Sequence, residues 1–241
     1  MRLRLTFALL LASGGACAQA GPPMITNDPD TPGPGVWEIN IAATGARVPG
    51  GFDLDAPDVD INRGVGERMQ LSLHASWAHG RSNGAWRSGL GDVEFGLRYR
   101  FLDAATDGVS MAVQPLYVRG WSAAARRRGL ASENAEWVLP LQVARPFGEF
   151  NVGLEVARHF VADEADAWQG GMFVSRDCFG GDCLAEINST RVDGQSVRTT
   201  LNVGARRPLR EGLLMMGSVG SEVTGRDRAP LVFYVGLQYV R

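Results

Sequence analysis

The sequence lacks any apolar run long enough to cross a membrane as a helix, which needs about 20 mostly apolar residues. The apolar run near its start, Leu5 to Ala12, is much shorter. An excess of basic residues is also missing, because 24 Lys and Arg stand against 26 Asp and Glu. A nucleic-acid partner is therefore not expected, since phosphate backbones are bound by clustered positive charge.

Cysteine is scarce, and one of the three cysteines lies in a stretch typical of an export signal. Arg2 and Arg4 give a positive start, a short apolar core follows, and Ala18-Gln19-Ala20 is a small-x-small cleavage site. We therefore expect a cleaved signal peptide over residues 1–20. Lipidation at Cys17 is the alternative, although Gly14-Gly15-Ala16 lacks the Leu usually found three positions upstream of a lipidated Cys.

The two remaining cysteines, Cys178 and Cys183, predict a disulfide. Export would place them in an oxidising compartment, where so close a pair is normally oxidised. The intervening residues, Phe179-Gly180-Gly181-Asp182, favour a hairpin turn. A metal site would need further ligands, and the sequence has no His within ten residues of this pair. The sequence predicts no metal and no cofactor.

Glycine is abundant, at 31 residues, and interior Gly disfavours helices. Many segments instead alternate apolar residues with polar or small ones, most clearly Met69 to Trp77, Asp92 to Phe101 and Phe150 to Phe160. A period of two places alternate side chains on opposite faces of a strand. A membrane barrel requires this pattern, with an apolar face toward lipid and a polar face toward the lumen.

The alternation predicts about twelve strands, with ten as the alternative because the strands flanking the cysteines are irregular. Strong alternation also covers residues 37–43, 199–205 and 233–239, and weaker alternation covers residues 53–63, 109–118, 136–144, 168–176, 184–189 and 213–222. The predicted fold is all-β: a single transmembrane antiparallel up-and-down β-barrel over residues 36–241. An N-terminal periplasmic segment over residues 21–35 is expected to precede it.

The predicted connections alternate in length, as expected for short periplasmic turns and longer external loops. The compact set covers residues 64–68, 103–108, 146–149, 178–183 and 208–212, and the longer or more polar set covers residues 44–51, 78–90, 119–134, 162–166, 190–195 and 224–230. Aromatic residues lie near both strand ends, as two interfacial belts require. Trp77, Trp121, Trp137 and Trp168 lie beside the longer set, and Trp37, Phe101, Phe147, Phe150 and Tyr239 lie near the compact set.

The chain resembles a family of outer-membrane barrels labelled as transporters or as components of a phenol-degradation pathway. The matching stretches are Pro22-Pro23-Met24-Ile25-Thr26-Asn27-Asp28-Pro29-Asp30, Gly35-Val36-Trp37-Glu38-Ile39-Asn40, Ala56-Pro57-Asp58-Val59-Asp60-Ile61-Asn62 with Gly64-Val65-Gly66-Glu67-Arg68, Ser88-Gly89-Leu90-Gly91-Asp92, and Phe233-Tyr234-Val235-Gly236-Leu237-Gln238. The resemblance covers nearly all of the mature chain and implies the barrel fold and the outer membrane. It supplies no catalytic or transport residues. The end of the chain departs from the pattern, because Arg241 stands where such barrels usually carry an aromatic residue.

The polar strand faces predict the residues that line the lumen. These are Glu38, Asn40, Asp60, Ser72, His74, Asp92, Glu94, Arg98, Arg100, Asn151, Glu155, His159, Arg198, Asn202 and Arg206. Buried charges need partners, so inward acids are expected to pair with Arg98, Arg100, Arg198 or Arg206. A Ca²⁺ site is the alternative for the acids near Asp28 and in residues 53–60, because Ca²⁺ takes six to eight oxygen ligands.

Two further motifs suggest chemistry. His74 and Ser76 share a strand face, as in some outer-membrane lipid hydrolases, but that face is the predicted lumen rather than the lipid side. Arg126-Arg127-Arg128 lies in a predicted external loop, where it is either a lipopolysaccharide-phosphate site or a solvated loop.

The leading functional hypothesis is a channel or transporter for small compounds, with hydrophobic or aromatic ones suggested by the family label alone. A plugged structural or interaction barrel without transport is the second hypothesis, since side chains can still largely fill a barrel of this size. A lipid hydrolase is the third, and we expect no enzymatic activity. The expected location is the outer membrane of a Gram-negative bacterium, and the expected partners are its lipids, lipopolysaccharide and the barrel-insertion machinery. The oligomeric state stays open.

Overall fold

The computed structural model describes residues 21–82 and 84–241, so the predicted signal peptide, residues 1–20, lies outside the described residues. Two four-residue helices, α1 (Ala104–Asp107) and α2 (Ala123–Arg126), interrupt a chain of strands. No helix of the described chain is long and apolar enough to cross a membrane. The strands are β1 (Trp37–Val48), β2 (Gly51–Val65), β3 (Met69–Ser82), β4 (Ala85–Leu102), β5 (Ser110–Val113), β6 (Leu116–Arg119), β7 (Glu136–Phe147), β8 (Phe150–Val161), β9 (Ala167–Cys178), β10 (Gly181–Val192), β11 (Arg198–Arg210), β12 (Leu213–Glu222) and β13 (Leu231–Val240).

The sheet closes on itself, because β1 pairs with β13 and every other neighbour is also paired antiparallel. Strands β5 and β6 both pair with β4 and β7, so they are two halves of one span. The break falls at Gln114 and Pro115, where proline has no N–H to donate to the ladder. Thirteen strands thus make twelve spans, which confirms the predicted closed, all-antiparallel, twelve-stranded barrel.

Alternate residues face outward and inward as their polarity predicts. Leu71 and Leu154 are each 50% exposed on the outer surface, whereas Glu155, next in the chain, is 3% exposed inside. Phe95 and Leu97 are also exposed. The outer surface is therefore an apolar collar, and the polar side chains point into the lumen.

One end of the barrel carries the start of β1, the end of β13 and short turns, and we call it the turn end; the opposite end is the loop end. The turn between β9 and β10 is the two-residue hairpin Phe179-Gly180, in which both residues have positive φ, 48° and 77°. Cys178 and Cys183 form the predicted disulfide beside it, with Cα atoms 5.7 Å apart. That separation lies within the usual range for a disulfide.

Two of the predicted longer loops are wrong. Residues 44–51 and 78–90 mostly belong to strands, because β1 and β2 continue to a turn at Pro49-Gly50, while β3 ends at Ser82 and β4 begins at Ala85. Their small and polar residues pair across the hairpins, so the ladder extends where apolar alternation has already stopped. The hairpins β1–β2 and β3–β4 consequently extend further beyond the barrel wall at the loop end than strands β7–β13 do.

Candidate functional site in the barrel interior

The N-terminal residues 21–31, which we call the plug segment, lie inside the barrel. Thr26 is fully buried and Asp28 is 3% exposed. The prediction of a periplasmic segment is therefore wrong for these residues. The physical reason is that the backbone groups of the plug segment form hydrogen bonds with charged and polar side chains on the inner faces of the strands.

The plug segment turns back at Thr26, about halfway along the lumen. Its turn is closed by the Gly21 N–H, which donates to the Thr26 carbonyl at 3.1 Å. The Glu186 carboxylate on β10 accepts the N–H groups of Ile25 and Thr26, each at 2.8 Å. Asn188 Nδ2 donates to Thr26 Oγ1 at 3.3 Å. One buried carboxylate therefore holds both amides at the tip of the turn.

Strands β11 and β12 hold the first residues of the plug segment. Arg206 Nε and Nη2 donate to the Pro22 carbonyl at 2.9 and 2.6 Å, and Nη2 also donates to the Gly21 carbonyl at 3.2 Å. Ser218 Oγ donates to the Pro23 carbonyl at 2.8 Å. Hydrogen bonds to a charged donor are each worth about 1.5–3 kcal/mol, so Arg206 is a principal anchor.

Two glycines on the inner wall make room for the plug segment. A Cβ at Gly171 on β9 would overlap Thr26, and a Cβ at Gly204 on β11 would overlap the Met24 side chain. Both positions therefore favour glycine. At Gly204 the carbonyl oxygen of Gly217, which would lie 2.7 Å from an added Cβ, restricts the space as well.

The far end of the plug segment is bound to the opposite wall. Arg98 on β4 donates from Nη1 to the Asp30 carbonyl at 2.6 Å, and Arg100 forms an ion pair with the Asp30 carboxylate at 3.2 Å. Around the twelve spans, β4 and β11 are six apart. The plug segment thus crosses the whole lumen, from Arg206 on one wall to Arg98 on the other.

Asp28 is the most deeply buried acid of the plug segment. Its Oδ1 accepts the Asp30 N–H at 2.9 Å and lies 4.0 Å from Arg98 Nη1. Burial, assisted by the nearby Asp30 carboxylate, raises the pKa of Asp28 to about 7, against the opposing attraction of Arg98 and Arg206. The protonation of Asp28 is thus coupled to docking of the plug segment.

The plug segment separates two cavities. The first, of about 470 Å³, lies between the plug segment and the inner faces of β1–β4 and β11–β13. The second, of about 760 Å³, opens at the loop end among β9–β12 and the connections that follow β10 and β12. Ile25 borders both cavities. Solute passing from one cavity to the other would have to pass the tip of the plug segment.

Across the first cavity from the plug segment, the acids of β2 contact polar side chains of their own and the neighbouring strands. Asp60 Oδ2 accepts from Asn40 at 3.1 Å and from Asn62 at 2.8 Å. Asp58 Oδ1 lies 2.5 Å from His74 Nε2. Among the described residues, no group donates a hydrogen bond to Glu94. No group of three or more His, Cys, Asp or Glu in this part of the chain is placed to hold a metal ion.

The structure brings nine of the fifteen sequence-predicted lumen residues to the first cavity. They are Glu38, Asn40, Asp60, Ser72, His74, Glu94, Arg98, Asn202 and Arg206. Arg198 lies at the second cavity instead. The other five do not border either cavity. Glu155 accepts a hydrogen bond from Gln142, and His159 contacts Glu136 and Gln169. Arg100 forms ion pairs with Asp30 and Asp103, Asp92 accepts a hydrogen bond from Ser132 in a loop, and Asn151 lies half-buried on β8.

The predicted ion-pair network is only partly present. Arg198 does pair with an acid of the barrel wall, Glu222, at 3.5 Å. Arg98 and Arg100 instead face the acids of the plug segment, and Arg206 binds its carbonyls. The acids of β2 therefore contact His, Ser and Asn side chains, because the guanidinium groups of Arg98, Arg100 and Arg206 bind the plug segment.

Several important interior residues were missed by the sequence reasoning. Glu186 lies in β10, where the alternation is too weak to predict which side chains face the lumen. Gln114 lies at the break between β5 and β6. Gln114 Oε1 accepts from Arg98 Nη2 at 2.7 Å and thereby orients it. The available signal for Glu186 was its polarity within residues 184–189, where the neighbouring Ala185 and Ile187 take the outer face.

The His74 and Ser76 pair does not form a catalytic arrangement. Ser76 Oγ donates to Asp55 at 2.9 Å, while His74 contacts Asp58. A nucleophilic serine needs its base within hydrogen-bond reach, and here each residue has a different partner. Both residues also face the lumen, away from lipid.

The arginine cluster is built into its own loop. Arg126 Nη1 donates to the Gly120 carbonyl at 2.6 Å, and Arg128 Nε donates to the Ala124 carbonyl at 3.0 Å. Arg87 on β4 donates to the Arg128 carbonyl at 2.6 Å, so the loop is fastened to the barrel wall. Binding of lipopolysaccharide by this cluster stays a prediction.

Solved outer-membrane barrels share this fold. The COG4313 outer membrane channel from Pseudomonas putida F1 has a TM-score of 0.70 and 12% sequence identity, covering 90% of this chain and 99% of that one. The NanC porin has a TM-score of 0.62 and 9% identity, covering 84% and 99%. The KdgM porin in complex with disordered oligogalacturonate has a TM-score of 0.58 and 12% identity, covering 85% and 96%.

No protein-family model matches the sequence, and no curated protein matches it significantly. At identities this low, likeness to solved structures shows the fold alone. That fold is a closed twelve-stranded antiparallel barrel of the outer-membrane type. The phenol-degradation label suggested by the sequence resemblance stays a prediction.

Proposed function

We propose that this protein is a channel for small compounds in the outer membrane of a Gram-negative bacterium, with the plug segment as a removable obstruction. The main support for a removable obstruction is that the plug segment is not a strand of the sheet. It is held by hydrogen bonds that Glu186 accepts and that Arg206 and Arg98 donate, so it can leave while the twelve-span ladder stays intact. The exposed apolar collar supports the membrane location, because it matches a lipid-facing surface.

The two cavities support passage of small solutes. They lie on either side of the plug segment tip at Ile25, which is where a path through the barrel would be blocked. The lining of the first cavity mixes carboxylates with apolar groups such as Phe233 and Val232. A hydrophobic or aromatic solute, suggested by the family resemblance, would therefore need a polar group as well. The structures named above as channels and porins support the same class of function.

Single-channel recording in planar bilayers tests this proposal. The mature protein, refolded in detergent, is compared with a variant that lacks residues 21–31 and keeps Pro32 onward. We expect small or intermittent conductance from the parent and a conductance several times larger from the variant, because removal of the plug segment joins the two cavities. A heat-modifiable band on a gel and a β-type circular dichroism spectrum serve as the folding control for both.

A plugged structural barrel is the second candidate, and the crossing of the lumen from Arg206 to Arg98 is the observation that favours it. It predicts that the parent does not conduct ions under any condition, whether or not the deletion variant does. That result would overturn the channel proposal. We propose no enzymatic activity, since His74 and Ser76 do not contact each other.

A further inference from the structure

The first cavity differs from the rest of the lumen in its surplus of negative charge and of unsatisfied acceptors. We propose that it binds a small organic cation, whose ammonium-type group donates hydrogen bonds to the acids and acceptors of β1, β2, β4, β11 and β13. This inference rests on the proposed channel function and names the class of solute that the channel would admit.

The charge balance of the cavity favours a cation. Six carboxyl groups line it, against the guanidinium groups of Arg98 and Arg206 and the imidazole of His74. Each of those basic groups is already engaged: Arg98 with Gln114 and the plug segment, Arg206 with plug-segment carbonyls, and His74 with Asp58. The carboxylates of Glu38, Asp60 and Glu94 consequently have no basic partner within salt-bridge distance among the described residues.

Buried acceptors give an independent indication of the same ligand. Within residues 21–82 and 84–241, four buried atoms of the cavity lining have no hydrogen-bond partner: Asp28 Oδ2, Asn40 Oδ1, Asn202 Oδ1 and Tyr234 Oη. The Tyr234 side chain belongs to a residue that is only 9% exposed. The two amide oxygens are pure acceptors, as is the Asp28 oxygen when that carboxyl is ionised, and the phenol oxygen both accepts and donates. A buried polar group without a partner is costly, and a ligand rich in N–H donors would offer these atoms the hydrogen bonds that they lack.

The cavity also provides an apolar side, which distinguishes an organic cation from an inorganic one. Met24 and Pro23 of the plug segment and Val232 and Phe233 of β13 contribute to its lining. A ligand with an ammonium head and a short hydrocarbon or aromatic body would place its charge on the acids and its body on these residues. An anionic solute of the same size would meet the surplus carboxylates and be repelled.

Binding is tested with three probes of similar shape and different charge: phenethylammonium chloride, 2-phenylethanol and sodium phenylacetate. Each is titrated by calorimetry into the full mature chain, refolded in detergent at low salt. We expect saturable binding of the ammonium probe and none of the anion, with the alcohol at least about tenfold weaker, since a charged hydrogen bond is lost. Equal binding of all three, or no binding of the ammonium probe, overturns the proposal.

Two variants assign the site. Glu94→Gln removes a charge to which no described group donates, so it preserves the folded contacts; Glu38→Gln combined with Asp60→Asn removes two more charges. We expect each to weaken ammonium binding by about tenfold or more. Glu149→Gln, which removes an acid from the exposed β7–β8 turn, serves as the matched control and should leave the affinity unchanged. Binding that survives both lumen variants, or preferential binding of calcium chloride, overturns the proposal.

Conductance of the same samples separates this inference from the function on which it rests. Ammonium binding that Glu94→Gln weakens, in a protein that never conducts, supports the cation site and rejects the channel. Conductance without any preference for cations, and without ammonium binding, supports the channel and rejects the cation site.

Discussion

Two walls of the lumen differ in whether their polar side chains bind the plug segment. The anchored wall, formed by β10–β12, directs Glu186, Arg206 and Ser218 at the backbone of the plug segment. The acidic wall, formed by β1–β3, directs its polar groups at one another, as Asp60 with Asn40 shows. The anchored wall is therefore closed by protein, while the acidic wall is left facing a cavity.

Because the two walls differ, obstruction of the lumen and selection among solutes depend on different residues. Obstruction depends on the anchored wall, on β4 opposite it and on Glu155 of β8, which is hydrogen-bonded to Asn27 of the plug segment. Selection among solutes depends on the acidic wall and on Glu94 of β4, where carboxylates remain available. Substitutions on one wall should therefore alter one property and leave the other largely unchanged.

The largest expected effect is release of the plug segment by Glu186→Ala. This substitution removes a carboxylate that accepts two backbone N–H groups, and each such bond contributes about 1.5–3 kcal/mol to docking. Limited proteolysis, read by mass spectrometry, should show cleavage within residues 21–31 at least about tenfold faster than in the parent. Asp60→Asn on the acidic wall is the control and should leave cleavage unchanged; equal acceleration by both would mean that the two walls do not differ.

A second effect compares the lipid face with the acidic wall at neighbouring residues. An Arg at an outward mid-membrane position costs about 2–4 kcal/mol, so Leu73→Arg should destabilise the barrel by that amount. Ser72→Arg should cost less, because the new guanidinium would enter the first cavity among surplus carboxylates. Denaturant unfolding in lipid vesicles measures both. A larger loss for Ser72→Arg would reverse the assignment of faces.

A smaller effect is expected at a glycine of the anchored half. Gly171→Ala places a methyl group against Thr26 and should weaken docking by about 1–3 kcal/mol, a typical cost of overpacking. Gly170→Ala is its matched control, since the nearest atom to the new methyl would be the Glu155 carbonyl oxygen at 4.0 Å. Accelerated cleavage of residues 21–31 in the first variant alone is the expected result. Identical cleavage in the two would show that the plug segment does not rest against β9.

The smallest effect is a pH dependence of docking. The pKa of Asp28 in the docked state is about 7, above its ordinary value of 3.8, so the docked state favours the protonated carboxyl. That contribution is fully present below about pH 4 and is lost as the pH rises through 7. Amide exchange of the plug segment, corrected for intrinsic rates, should be slower at pH 6 than at pH 8. Asp28→Asn should remove most of this difference; if the difference persists, other lumen groups cause it.

Much of the fold follows from the sequence, because strand alternation is a local property. Residues 213–222 were predicted as a strand and form β12 with those bounds. The first part of β4, residues 85–91, was missed because its Gly and Ser residues carry no apolar alternation, and only pairing with β3 makes it a strand. The break at Gln114 and Pro115 was also missed, since residues 109–118 alternate across it.

The interior could be predicted only in part. The inward faces of β1, β3 and β4 gave Glu38, His74 and Glu94, because alternation decides which side chains share a face. Docking of the plug segment could not be predicted, since its partners are remote in the chain: Thr26 and Glu186 are 160 residues apart. No local pattern in residues 21–31 distinguishes a segment that enters a barrel from one that hangs below it.

Hydrogen exchange at the amides of Ile25 and Thr26 shows whether the plug segment is docked inside the barrel. The mature protein is refolded in lipid vesicles, and exchange is read at single-residue resolution. If the plug segment is docked, both amides should exchange slowly in the parent and much faster in Glu186→Ala, while amides of β12 stay protected in both. Rapid exchange of Ile25 and Thr26 in the folded parent, at the rate of an unstructured peptide, would contradict the account.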